Sequence, residues 1–183
     1  MHFNVSAVWI AVVASAIVVF SADLSPVRAS PERFVKSLSH QILVAAKTKN
    51  TARFRSLLRR HADIRGIANF ALGRYRNKIP KSQRNRYYRL AENDMVNFFA
   101  RYSGNLKGSA VTVGRVSKSG RLILVETRLN DGSAVSWRLS KNRRYKVRDV
   151  QVLGVWLAHL MRTTYTGVLR RDGYQQLFAV LQK

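Results

Sequence analysis

Apolar side chains recur along this chain with one of two periods, and the period changes from helical to alternating and back again. From Ser30 the spacing is helical. Phe34, Leu38, Ile42 and Ala45 fall on one stripe, the pattern of a helix that buries one face. Ser30 is placed to cap this helix, and Pro31 stands at its first turn, where a missing N–H is tolerated. A second short helix is predicted across "TARFRSLLRRHA", with Phe54, Leu57, Leu58 and His61 on one side. A third follows in "DIRGIANFALG". There Asp63 caps, Ile64, Ile67, Ala68 and Ala71 face inward, and Gly73 ends the helix. The fourth and longest begins after the break at Pro80, with Ser82 as its cap, and ends at Gly104. Tyr87, Leu90 or Ala91, Asp94 or Met95, Phe98 and Tyr102 form its inward stripe.

From Ala110 the period is two. "AVTVGRV" is followed by "RLILVETRL", in which Ile123, Val125, Thr127 and Leu129 alternate. Asn130 to Gly132 is a strong turn signal. Val135, Trp137 and Leu139 alternate next, then Tyr145 and Val147. The phase then shifts to Val150 and Val152, which predicts a bulge near Asp149. Helical spacing returns at Trp156 or Leu157, Leu160 or Met161, Thr164 or Tyr165, and Val168. It continues through Tyr174, Leu177, Phe178 and Leu181. The predicted fold is α+β: N-terminal helices, a four-stranded antiparallel meander and C-terminal helices. No internal repeat or low-complexity segment interrupts it.

The first residues do not fit this domain. Val5 to Phe20 is apolar apart from Ser6 and Ser15 and carries no charge. It is shorter than the roughly 20 residues of a membrane span and has the form of a secretory h-region. A small-residue cleavage site ends at Ala29, with Val27 at the −3 position. Residues 1–29 are therefore expected to be a cleaved signal peptide, and residues 30–183 a single domain exported to the periplasm.

Charge and composition narrow the function. The 183 residues hold 33 Lys and Arg against nine Asp and Glu, a net charge of +24. That field favours anionic partners: nucleic acid, anionic lipid headgroups or acidic proteins. An apolar content of 46% excludes a disordered basic tail. In the fourth helix Arg84, Arg86 and Arg89 fall mainly off the aromatic stripe. Basic and aromatic side chains thus occupy different faces, which argues against a base-stacking platform. The absence of Cys excludes disulfides, thiolate metal sites and a Cys nucleophile. His40, His61 and His159 do not fall in a metal-ligand spacing, and no GxSxG elbow is present. Asp149 is the most notable acid. It reads as a salt bridge or a turn cap; an enzyme on this scaffold would need it to act with a partner such as His159. No catalytic residue, metal ligand or cofactor is assigned.

The apolar positions predicted to face the space between sheet and helices are Phe70, Phe98, Val113, Val125, Trp137, Val147, Leu157, Tyr165 and Phe178. They are core candidates and equally the candidate wall of an apolar pocket. Such a pocket suits acyl chains, and a basic rim suits a phosphate headgroup.

Three stretches carry a family resemblance. In "DIRGIANFALGRYRNKIPKSQRNRYYRL" the matching positions are Asp63, Phe70, Leu72, Gly73, Tyr75 and Gln83. In "RYKVRDVQVLGV" they are Tyr145, Lys146, Val147, Asp149, Val150 and Gly154. In "TTYTGVLRRDGYQQLFAVL" they are Gly173, Leu177 and Leu181. In this order, from about Pro31 to Leu181, they resemble the periplasmic phospholipid-binding proteins of Mla-type lipid transport, the toluene-tolerance family, and their hopanoid-associated relatives. Trp156 departs from the pattern, standing where the family usually has Ser, and a bulky indole there is expected to reshape the pocket mouth. The resemblance implies a non-enzymatic phospholipid carrier. It would exchange cargo with an inner-membrane ATP-binding-cassette lipid transporter and an outer-membrane lipoprotein–porin complex, touch anionic membranes transiently, and bind no nucleic acid. The alternatives from the sequence are a basic polyanion-binding protein and a carrier of a hopanoid-like apolar ligand.

Overall fold

The computed structural model describes residues 30–105 and 108–183. The expected signal peptide lies outside the described residues. Helix α1 (Pro31–Lys47) starts as predicted: Ser30 Oγ accepts from Arg33 N–H at 3.2 Å. Its buried face is Val35, Leu38, Ser39, Leu43, Ala45 and Ala46, with Phe34 and Ile42 half-buried at its margins. Helix α2 (Thr51–His61) is capped by Asn50, and α3 (Ile64–Leu72) by Asp63, whose Oδ1 accepts from Gly66 N–H at 2.9 Å. Two short 3-10 turns, Gly73–Lys78 and Lys81–Gln83, lead into α4 (Arg84–Tyr102). The predicted cap at Ser82 is not made, because the second of these turns precedes the helix and leaves Gln83 at the N-cap without a side-chain bond.

The sheet contains β1 (Val111–Ser119), β2 (Leu122–Leu129), β3 (Ala134–Lys141), β4 (Tyr145–Val152) and β5 (Val155–Trp156), antiparallel in chain order. The sequence reading of four strands is thus one short. Leu153 and Gly154 both take left-handed backbone angles, φ 51° and 79°. Those angles make a two-residue hairpin turn of the kind that matches strand twist. The chain therefore pairs back on β4, Val152 with Val155, before α5 (Leu157–Arg171) begins. The bulge predicted near Asp149 is present: Arg138 pairs with Asp149 and Leu139 with Val147, so Arg148 is the extra residue. A second register shift falls between Val113 and Val116 on β1. Helix α6 (Gly173–Leu181) closes the chain.

Two large apolar cores share α3, and a smaller third cluster joins Ala45 and Ala46 of α1 to Phe99 of α4 and Phe54 of α2. In the sheet–helix core, Val125, Val135, Trp137, Leu139, Tyr145 and Val147 meet Val35, Leu38, Leu57, Ile67 and Ala158. In the helix–helix core, Ala68, Ala71 and Leu72 of α3 meet Tyr87 and Leu90 of α4, Tyr165 and Leu169 of α5, and Leu177 and Phe178 of α6. Helix α3 feeds both cores from different faces, and Met161 packs against both. A polar relay on the inner sheet face is satisfied internally: Trp137 Nε1–H donates to Thr127 Oγ1, which donates to the Val135 carbonyl. No helix among the described residues is long and apolar enough to cross a membrane.

Candidate functional site

Four of the nine predicted pocket residues stand together on the inner face of the sheet. Val125 pairs with Trp137, Val147 lies beside Leu139 on the next strand, and Val113 is half-buried on β1. Val125 is fully buried and Trp137 is nearly so. Tyr165 and Phe178 belong instead to the helix–helix core, where both rings lie against Tyr87 at centroid distances of 6.3 and 6.4 Å. The Tyr165 hydroxyl donates to Asp94 Oδ2 at 2.7 Å, and burial raises the pKa of this phenol, with the Asp94 charge adding to the effect. Leu157 is half-buried at the first turn of α5.

The remaining two lie outside both cores. Phe70 is on the surface, its ring edge-on to His159 at 4.9 Å and beneath the Arg162 guanidinium at 5.0 Å. Phe98 is half-buried beside the exposed Tyr102 at 4.5 Å. The inward stripe expected for α4 therefore holds only over its first half. Past Met95 the buried positions are Val96 and Phe99, and Phe99 stacks on Phe54 of α2 at 3.8 Å. The helix changes partners along its length, from α3 and α6 to α2, and its buried face rotates with them. Sequence reasoning placed Met95 and Met161 on inward stripes, each as one of two alternatives, and gave no sign that Met95 packs against the sheet–helix core or that Met161 bridges two cores.

Polar side chains hold the two cores in register. The α2–α3 link runs along the edge of β4: Ala62 forms a parallel bridge with Val147, and Asp63 N–H donates to the Val147 carbonyl at 2.9 Å. The bulged Arg148 pairs with the Asp63 carboxylate. A Cβ on Gly66 would meet both members of that pair, and the two side-chain ends would have to shift to admit it. Asp149 Oδ1 accepts from Val150 N–H and from Ala158 N–H, each at 2.9 Å. It thus caps the first turn of α5 from the neighbouring strand. Arg138 lies 3.5 Å and His159 3.7 Å from its other oxygen. Burial raises the Asp149 pKa, with the backbone donors and Arg138 opposing. This is the structural reading of Asp149, a cap and ion pair. Trp156 lies under the Arg138 guanidinium, 3.7 Å from its centre, and pairs with Gln151 at the sheet edge.

Two open concavities mark the surface. One, of about 480 Å³, is lined by Ala52, Arg55, Ser56, Arg59 and Arg60. The other, of about 290 Å³, is lined by Arg59, Arg86, Arg89, Leu90, Glu92, Asn93 and Gln182. Both are basic, and they share Arg59.

Residues 32–183 match the family described as MlaC protein. The chain belongs to the MlaC family. Its MlaC-type stretches, separate in sequence, are joined in the fold: the Asp63–Arg148 pair ties the first to the second, and α5 and α6 of the third pack on α3 and α4 respectively. Among solved structures the MlaC-family domain is similar to the phospholipid-binding protein from Ralstonia solanacearum, solved in complex with a phospholipid. The TM-score is 0.72 at 19% identity, over 84% of this chain and 96% of that one. At that identity the likeness establishes the shared α+β fold. Comparison with curated proteins gave no match.

Proposed function

We propose that this protein is a periplasmic phospholipid carrier. It takes the acyl chains of its cargo between the sheet and the helices. It then passes the lipid between an outer-membrane lipoprotein–porin complex and an inner-membrane ATP-binding-cassette transporter. The observation that carries this reading is the family match across residues 32–183. The fold shared with a protein solved holding a phospholipid supports it. The physics agrees: each CH₂ moved out of water is worth about 0.8 kcal/mol, so a diacyl lipid crosses an aqueous space only inside an apolar enclosure.

The seam between the two cores is the place for those chains. Met161, half-buried, packs against both cores, and Met95 and Val113 are half-buried against the sheet–helix core. Methionine side chains are unbranched and adaptable, which suits a surface that opens for cargo and closes without it. The carrier reading needs no catalytic group, and Asp149, the acid best placed to be one, is engaged by two backbone donors.

The test is mass spectrometry of organic extracts from the purified exported protein, with Met161→Trp as comparison. A charged residue at the fully buried Val125 would unfold the domain, whereas a tryptophan at Met161 fills the seam. We expect phospholipid near one per protein, reduced severalfold in Met161→Trp at unchanged circular dichroism. A hopanoid-like lipid in its place would change the cargo and keep the carrier. No lipid from either protein, both folded, would overturn the reading in favour of polyanion binding.

A further inference from the structure

The arginines of α2 and α4 are more than a solvated face. Arg55 Nη1 donates to Glu92 Oε1 at 3.0 Å and to Asn93 Oδ1 at 2.7 Å, and Arg59 Nε donates to the same Glu92 oxygen at 2.7 Å. The Glu92 side chain is only 12% exposed, while that of Arg59 is 63% exposed. The carboxylate therefore lies beneath the guanidinium groups and fixes them from below. A guanidinium carries five N–H donors in a rigid fork, so those not bound to Glu92 and Asn93 remain free to face outward. Arg60, Arg86 and Arg89 complete the rim, and among the described residues none of them has a carboxylate within salt-bridge distance. Five arginines thus surround one carboxylate across two joined concavities.

We infer that this groove binds the phosphates of anionic lipid headgroups and seats the protein on a membrane surface, with Glu92 and Asn93 as positioning residues. Forked donors held in a concavity match phosphate oxygens. The lining contains no aromatic side chain on which a base could stack, so single-stranded nucleic acid is the poorer fit. The inference rests on the carrier reading only for its reason to meet a membrane. Its test reads vesicle binding rather than cargo, so either can fail without the other.

The experiment is sedimentation with vesicles of phosphatidylcholine, alone or mixed with phosphatidylglycerol, at low and physiological salt. The groove variant combines Arg59→Gln, Arg60→Gln and Arg89→Gln. The control removes three exposed charges from β1 and the turn that follows it: Arg115→Gln, Lys118→Gln and Arg121→Gln. Each basic residue that reaches an anionic lipid surface is worth about fivefold in binding. The groove variant is expected to lose at least about tenfold more affinity than the control for the mixed vesicles. Glu92→Gln separates a built site from net charge. It adds positive charge, so a purely electrostatic surface would bind tighter. A groove that depends on oriented guanidinium groups binds more weakly. Equal losses in the two triple variants, tighter binding by Glu92→Gln, no binding to mixed vesicles, or a groove effect seen only with a single-stranded oligonucleotide would each overturn the proposal.

Discussion

Gly66 lies beneath an ion pair between residues 85 apart in sequence, Asp63 and Arg148. A methyl group there must displace the carboxylate or the guanidinium, and displacing either disturbs the junction of the α2–α3 link with β4. Gly66→Ala is expected to destabilise by under about 1 kcal/mol, read from urea midpoints, because the two side-chain ends can shift and alanine's helix propensity offsets part of the cost. In an Arg148→Met background the penalty should shrink, because neighbouring residues that share a contact are not additive. An equal penalty in both backgrounds would show that the ion pair is not what excludes the methyl. Asp63 as a cap and the bulge beside Asp149 are both readable from local pattern. That Arg148 is the bulged residue, and that it reaches back to Asp63, is a long-range pairing that no local spacing encodes.

At the scale of elements, α4 is the instructive case. Phe98 and Phe99 are adjacent aromatics in one helix, and the three-and-four spacing from Tyr87 selects Phe98. The fold selects Phe99, because the end of α4 packs on Ala45 and Ala46 of α1 and Phe54 of α2. Phe99→Ala should therefore cost about 3–5 kcal/mol. Phe98→Ala should cost under about 1 kcal/mol. Paired urea titrations check this, and comparable losses would return Phe98 to the core. The strands were more legible. Their alternation places Val125, Trp137 and Val147 on the inner face without ambiguity, because a side-chain period of two leaves only two faces. The fifth strand escaped notice because it is two residues long and its turn contains Leu153, a residue uncommon at positive φ.

For the whole molecule, cargo and stability are linked. A ligand that binds only the folded state stabilises it by about 2.7 kcal/mol at a hundred times its Kd, which for a domain of this size raises Tm by about 5–10 °C. Protein stripped of lipid should melt lower by that order, and reloading with phospholipid vesicles should restore it. Identical melting before and after stripping would count against an enclosed cargo.

The sequence by itself determined the α+β order, the inner face of the sheet, the helix caps at Ser30 and Asp63, and a basic exterior. These follow from periods and local chemistry, which act over a few residues. The tertiary structure alone decided how the apolar residues divide into two large cores and a smaller cluster, which face α4 buries along its second half, and how arginines of α2 meet over Glu92 of α4. Each depends on which helices come to lie side by side. That choice is made by burying the most apolar surface over the whole chain, not by any one segment.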